Sequence, residues 1–176
     1  RIRMHRELGE HLAKTSLARG LSAAIVARHL AKGEAWPEAA SLYLEAASAA
    51  RAGYQSQLAV RYFQRAAAYL PSEDPRRLEA HDSLEALYRV LGRRTERARH
   101  LAELRRSARL VGTPKAAAMA LHRTSRYHLE EGHLERGLPI ARQAAQLAHA
   151  AAEPQLEIEA ELIVCETLRE LGDVQG

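Results

Sequence analysis

The sequence predicts an all-α chain: a helical solenoid of about nine antiparallel helices with a period of about 40 residues. Three observations lead there. The first is composition. Hydrophobic residues are 47% but much of that is alanine, aromatics are only 5%, and Ala, Leu, Arg and Glu dominate. These are strong helix formers, and the Val/Ile/Thr runs that would make strands are missing. The second is a beat of glycines. Gly53, Gly92, Gly132 and Gly172 each follow a helical stretch, at spacings of 39, 40 and 40 residues. The third is the stretch from Ala116 to Pro154, which reads as two amphipathic helices joined by a short turn. Leu121, Thr124, Ser125 and His128 recur at helical spacing on the first, Gly132 ends it, and Gly137, Ala141 and Ala144 form a small-residue stripe on the second. Small residues at that spacing let two helices approach closely. One hairpin cannot bury both of its apolar faces, so neighbours of the same kind are required.

The elements follow in order. Residues 4–14 read as a short helix with Met4, Leu8 and Leu12 on one side, and Thr15 to Gly20 as a loop. Ser22 suits the N-cap of a second helix, Ala23 to Ala31, ending near Gly33. Pro37 fits the first turn of a third, which runs to Ala52. Ser56 opens a fourth to Leu70, and Pro71-Ser72-Glu73-Asp74-Pro75 breaks the chain. A fifth spans about Arg76 to Leu91, with Leu84, Leu87, Tyr88 and Leu91 inward, and a sixth runs from Thr95 to about Leu110. Gly112-Thr113-Pro114 breaks the chain again before the hairpin of helices seven and eight. Pro154 starts a ninth, carrying Leu156, Leu162, Val164, Cys165 and Leu168 to Gly172. The small-residue stripe recurs as Ala59, Phe63 and Ala66, and as Trp36, Ala39, Tyr43 and Ala46. It departs at Ala98, Ala102 and Arg105, where the aromatic is missing. No Ser/Gly-rich linker or low-complexity tract intervenes, so residues 1–176 read as one array. The sequence opens on Arg1 and stops four residues after Gly172, where a partner helix is due, so a fragment of a longer protein is expected. Leu168 and Leu171 would then lie uncovered, and self-association through this C-terminal helix is expected.

The stripe, with a small residue, an aromatic four later, an Ala three after that and a Gly before the turn, resembles the tetratricopeptide repeat. The resemblance implies a right-handed α-α superhelix whose first helices line a concave groove. The segment IVARHLAKGEAWPEAASLYLEAASAA is similar to the stretch after the nucleotide-binding domain in STAND-type signalling ATPases, on Arg28, His29, Leu30, Gly33, Trp36, Ala39 and Ala40. MHRELGEHLA resembles what precedes it there. Such bacterial proteins often carry a Ser/Thr kinase or cyclase domain. The resemblance implies a non-catalytic protein-interaction or regulatory segment of a larger signalling protein, with architecture and parentage but no catalytic residue.

The formal charge of +4 permits nucleic-acid binding without arguing for it. One cysteine, Cys165, excludes an internal disulfide and a cysteine-based zinc site. No apolar run approaches membrane-spanning length and no signal peptide opens the sequence, so a cytoplasmic setting without a membrane partner is the expectation. Gly9 to Thr15 (GEHLAKT) fails as a phosphate-binding loop, because Ala13 stands where a glycine must precede the lysine. His122, His128 and His133 lack metal-ligand spacing, so they read as surface and joint residues. Cys165 reads as a buried thiol, and Glu130 and Glu131, being adjacent, point apart and make a poor acid–base pair. No cofactor, no metal and no catalytic set are expected. Arginines crowd 89–109, spread around their helices with Glu96 and Glu103 interleaved, which reads as a solvated face and disfavours nucleic acid. A nucleic-acid-binding solenoid using these helices stays as the alternative. If the repeat register carries over, the groove positions include Arg51, Glu79, Asp82, Arg89, His122, Arg126, Glu159, Glu166 and Arg169. The partner would be a protein or peptide, or another domain of the parent chain.

Overall fold

Runs of strong helix formers give long helices here, and each break in them has a local cause. The computed structural model describes residues 1–19 and 23–172. Among the described residues there are nine helices: α1 (Ile2–Arg19), α2 (Ala23–Lys32), α3 (Trp36–Ala52), α4 (Ser56–Tyr69), α5 (Pro75–Val90), α6 (Arg94–Val111), α7 (Pro114–Glu130), α8 (Leu134–Ala150) and α9 (Pro154–Leu171). No described residue lies in a strand. The loop expected at Thr15 to Gly20 is corrected, since α1 continues through Thr15 to Arg19. Nothing in that stretch breaks a helix. Gly20 and the expected cap Ser22 lie outside the described residues. The Gly9 to Thr15 segment also lies inside α1.

Most turns share one geometry. A residue in the left-handed region ends the helix and the next helix begins two residues on. The N–H after it reaches back five residues, as in Ala35 to Leu30, Gln55 to Ala50, Arg93 to Tyr88, His133 to His128 and Glu153 to Ala148, at 2.8–3.0 Å. The left-handed positions are Glu34 and Tyr54, then Gly92, Gly112, Gly132, Ala152 and Gly172. From 92 to 172 they fall every twenty residues, so the beat is one helix plus one turn, and the forty-residue glycine spacing is every second beat. Gly53 follows α3 as expected, with φ −83°, and Tyr54 at φ 59° takes the left-handed position. Two joints differ. At α4–α5 the Asp74 carboxylate caps α5 by accepting from Arg76 N–H at 2.9 Å. The Arg76 side chain also bonds it, and that bond above all holds the Asp74 carboxyl below its usual range. At α6–α7, Thr113 Oγ1 accepts from Ala116 N–H at 3.2 Å, and Pro114 follows where its missing N–H costs nothing.

A left-handed alanine is strained by about 1–2 kcal/mol. Ala152→Gly should therefore stabilise the chain by about 0.5–1 kcal/mol once the greater freedom of glycine in the unfolded state is subtracted. The urea midpoint measures this. A loss of stability, the usual result of Ala→Gly in a helix, would contradict the turn geometry.

The chain divides into two compact units, Arg1–Arg94 and Thr95–Gly176. In the first, α1 packs on α2, α2 on α3, α3 on α4 and α4 on α5. Gly9 lets α1 meet α2: a Cβ there would lie 2.8 Å from Leu30 Cδ2. Gly33 sits as close to Arg6, whose Nε donates to its carbonyl at 3.0 Å. Met4 and Leu8 are exposed, and the half-buried Leu12 and Ala13 of α1 pack on the core. The core is built from alanines around a few large side chains, chiefly Leu30, Tyr43, Phe63, Leu84 and Tyr88. The stripes Ala39, Tyr43, Ala46 and Ala59, Phe63, Ala66 are buried, while Trp36 is 42% exposed and stacks on Tyr69 with centroids 5.1 Å apart.

In the second unit α7 packs on α8, α8 on α9, and α7 directly on α9. Gly137, Ala141 and Ala144 are buried as expected. On α6 the register is corrected by one residue. Arg97, Leu101 and Leu104 are buried, whereas Ala98, Ala102 and Arg105 are exposed. Counting back forty from Gly137, Ala141 and Ala144 lands on the buried set. Two expectations for α9 are also overturned. Leu168 is only 8% exposed, packed with Ile163 and Val164 against Ala141 of α8, and Cys165 is exposed. The helix buries its 160, 163, 164, 167 and 168 positions, so Ile158, Leu162 and Leu171 are its uncovered apolar residues.

Candidate functional site: the polar faces of the first helices

The helix that opens each hairpin carries polar residues outside its buried stripe. In the first unit these helices are α3 and α5. Arg51, near the end of α3, lies over the Phe63 ring at 5.9 Å and donates to Ser83 Oγ on α5 at 3.4 Å. Arg76 at the start of α5 donates to Ser41 Oγ on α3 at 2.9 Å. These bonds tie the two first helices along their polar sides. Glu79 and Arg89 are exposed on α5, and Asp82 between them is half-buried. Of the four positions expected here, three face water and one is partly covered.

In the second unit the first helices are α7 and α9. His122 is corrected from a presented residue to a core one, at 2% exposure, with Nε2 3.6 Å from a Glu159 oxygen on α9. Its side of α7 faces α9, which lies directly alongside. Arg126, one turn on, is half-buried, as is Glu159, while Glu166 and Arg169 are exposed. Lys115 Nζ reaches Glu153 at 2.7 Å and His149 Nδ1 reaches Glu157 at 3.0 Å, so part of the acidic charge at the start of α9 is already matched. Burial, then the charges of His133, Arg136 and Arg105, hold the His128 imidazole below its ordinary range and so neutral at pH 7.

A solved structure has this architecture. It is that of the TPR-like repeats of a protein described as a kinesin light chain from Podosopora anserina, with 18% identity and a TM-score of 0.61, covering 99% of this chain and 89% of that one. The fold is a tetratricopeptide-like helical repeat. No protein-family model and no curated protein matches the chain. At that identity the likeness speaks for the fold alone.

The buried hydroxyls of Thr124, Ser125 and Thr167 donate to carbonyls of their own helices at 2.7, 2.8 and 2.6 Å, which is a structural role. Among the described residues no three His, Cys, Asp or Glu side chains gather where a metal ion could be held. No described helix is long and apolar enough to cross a membrane.

Reading the residues alone missed Arg97, His81 and Glu85, all buried. For Arg97 a signal existed: it stands forty residues before Gly137, in the stripe. Its guanidinium pairs with Glu130 and lies over the Tyr127 ring at 5.1 Å, both on α7. His81 and Glu85 are one turn apart on the inward side of α5, and nothing in their spacing sets them apart from surface residues.

Proposed function

We propose that this chain is a non-catalytic scaffold that binds a protein or peptide through the polar faces of its first helices, as the regulatory segment of a larger bacterial signalling protein of the STAND ATPase or kinase kind, in the cytoplasm. The observation that carries this reading is the arrangement of α3 with α5 and of α7 with α9. Each pair carries charged side chains outside its buried, alanine-rich stripe. Arg51, Glu79, Asp82 and Arg89 form the set in one unit, and Arg126, Glu159, Glu166 and Arg169 in the other, with His122 beneath as support. Both signs of charge are present in each set, which suits a partner recognised by electrostatic complementarity. The parentage rests on the Arg28-His29-Leu30, Gly33, Trp36 and Ala39-Ala40 resemblance.

The test begins with the reading frame on both sides of this sequence. If it encodes an ATPase or kinase domain, that domain is purified and titrated against this chain by calorimetry. Glu79→Lys with Asp82→Lys, and separately Glu166→Lys with Arg169→Glu, should weaken binding at least about tenfold without moving the melting temperature, as expected for charges at an interface. Binding indifferent to both pairs would remove the first-helix faces from the proposal. A reading frame lacking such a domain would remove the parentage.

A further inference from the structure

A further opening in the second unit is on another side. A cleft of about 470 Å³ lies where α6, α7 and α8 meet. That volume is within the range of ligand sites, roughly 300–1,000 Å³. Its floor is apolar, from Ala108 of α6, Ala117 and Leu121 of α7 and Leu147 of α8. Arg105 and Arg109 stand at its edge, one turn apart on α6. Around α7, Ala117 and Leu121 are turned about 140° from His122 and Arg126, so the cleft is separate from the polar faces described above.

The arginines of α6 correct the expectation that they are spread around the helix. Arg97 is buried on the inward side, while Arg99, Arg105, Arg106 and Arg109 are exposed within an arc of about 120°, with the exposed Arg94 of the first turn about 20° beyond it. Glu96 and Glu103 fall outside that arc. None of the four arginines within the arc has a hydrogen-bond or ion-pair partner among the described residues. Like charges one turn apart repel, so nothing within the helix favours Arg105 beside Arg109. The row runs from residue 99 to residue 109, about 15 Å along the axis. A single carboxylate would satisfy only one end of it. An apolar cleft edged by Arg105 and Arg109, with Arg106 and Arg99 continuing the exposed charge beyond it, suits a segment with apolar side chains on one edge and carboxylates beside them. Single-stranded nucleic acid would call for aromatic side chains to stack its bases, and the cleft lining contains none.

We infer that the α6–α7–α8 cleft is a second docking site, for an acidic amphipathic helix whose apolar side chains enter over Ala117 and Leu121 and whose carboxylates pair with Arg105 and Arg109. The site is independent of the first-helix faces.

The probe is a fluorescein-labelled peptide of about four helical turns, with leucines three and four apart and glutamates beside them, followed by anisotropy. It should bind and saturate. Arg105→Glu with Arg109→Glu should weaken it at least about tenfold, and Ala117→Phe, which fills the cleft, should do the same, whereas Arg126→Glu on the other side of α7 should not. A peptide with serine for leucine should also bind at least about tenfold more weakly, and this comparison holds even if Ala117→Phe fails to fold. No binding of the leucine peptide would overturn the inference. So would equal binding of the serine peptide, or of a 20-nucleotide single strand that displaces the leucine peptide and is indifferent to the filled cleft. Loss of binding on Arg126→Glu alone would assign the peptide to the first-helix face instead.

Discussion

Replacing Gly137 by leucine should destabilise the protein by about 2–3 kcal/mol, the upper part of the range for overpacking a tight contact. A Cβ on Gly137 would meet His128 Cβ at 3.2 Å, the Ser125 carbonyl oxygen at 3.5 Å and the Leu129 nitrogen at 3.7 Å. Two of those three atoms belong to the α7 backbone, which cannot swing aside as a side-chain tip can. An isobutyl group must therefore push α7 and α8 apart along a seam that also holds Ala141 and Ala144. Gly137→Ala is the informative control. One methyl needs only a few tenths of an ångström of give and gains about 1 kcal/mol of helix propensity, so its net effect should be small. Urea midpoints of the two variants measure the difference. A leucine variant as stable as the parent would mean that Gly137 does not face α7.

Glu130→Leu should cost about 2–4 kcal/mol. Arg97 is almost wholly buried and Glu130, its partner on α7, is about a third exposed. Removing one member of a buried ion pair strands the other, which costs about 3–5 kcal/mol when both are fully enclosed. The exposure of Glu130 lets water reach the arginine and lowers the figure. Arg97→Met should cost much less, because it removes the buried charge and keeps an unbranched side chain over Tyr127. The order of the two thermal midpoints settles the matter. If Arg97→Met were the more damaging, the guanidinium would have a role that the pair with Glu130 does not account for.

The fold was legible because its signals are local. Proline at the first turns of α3, α5, α7 and α9, and Ala and Leu at helical spacing between them, act within a few residues of their own position. That is why helix boundaries read from the residues fall within one or two positions of those observed from α2 onward. The beat was half legible. A glycine reports a left-handed turn in the sequence, but Glu34, Tyr54 and Ala152 adopt the same conformation and carry no such mark. The candidate site was least legible. His122 and Arg126 are one turn apart on α7 and similar in polarity, yet the first is enclosed beside Glu159 of α9 and the second is only half-buried.

Composition, helical periodicity and turn chemistry determined by themselves that this chain is a repeated helical hairpin, since each depends on interactions between residues close in sequence. Tertiary structure alone decided which polar residues are presented and which are enclosed. Arg97 is inside and Ala98 outside because α7 offers Glu130 and the Tyr127 ring to one side of α6 and not the other. Cys165 faces water because α8 covers Ile163, Val164 and Leu168 instead. The Arg105–Arg109 edge acquires an apolar floor only where α7 and α8 pass beneath it. Burial of a side chain is set by which helix crosses it, and that depends on residues tens of positions away.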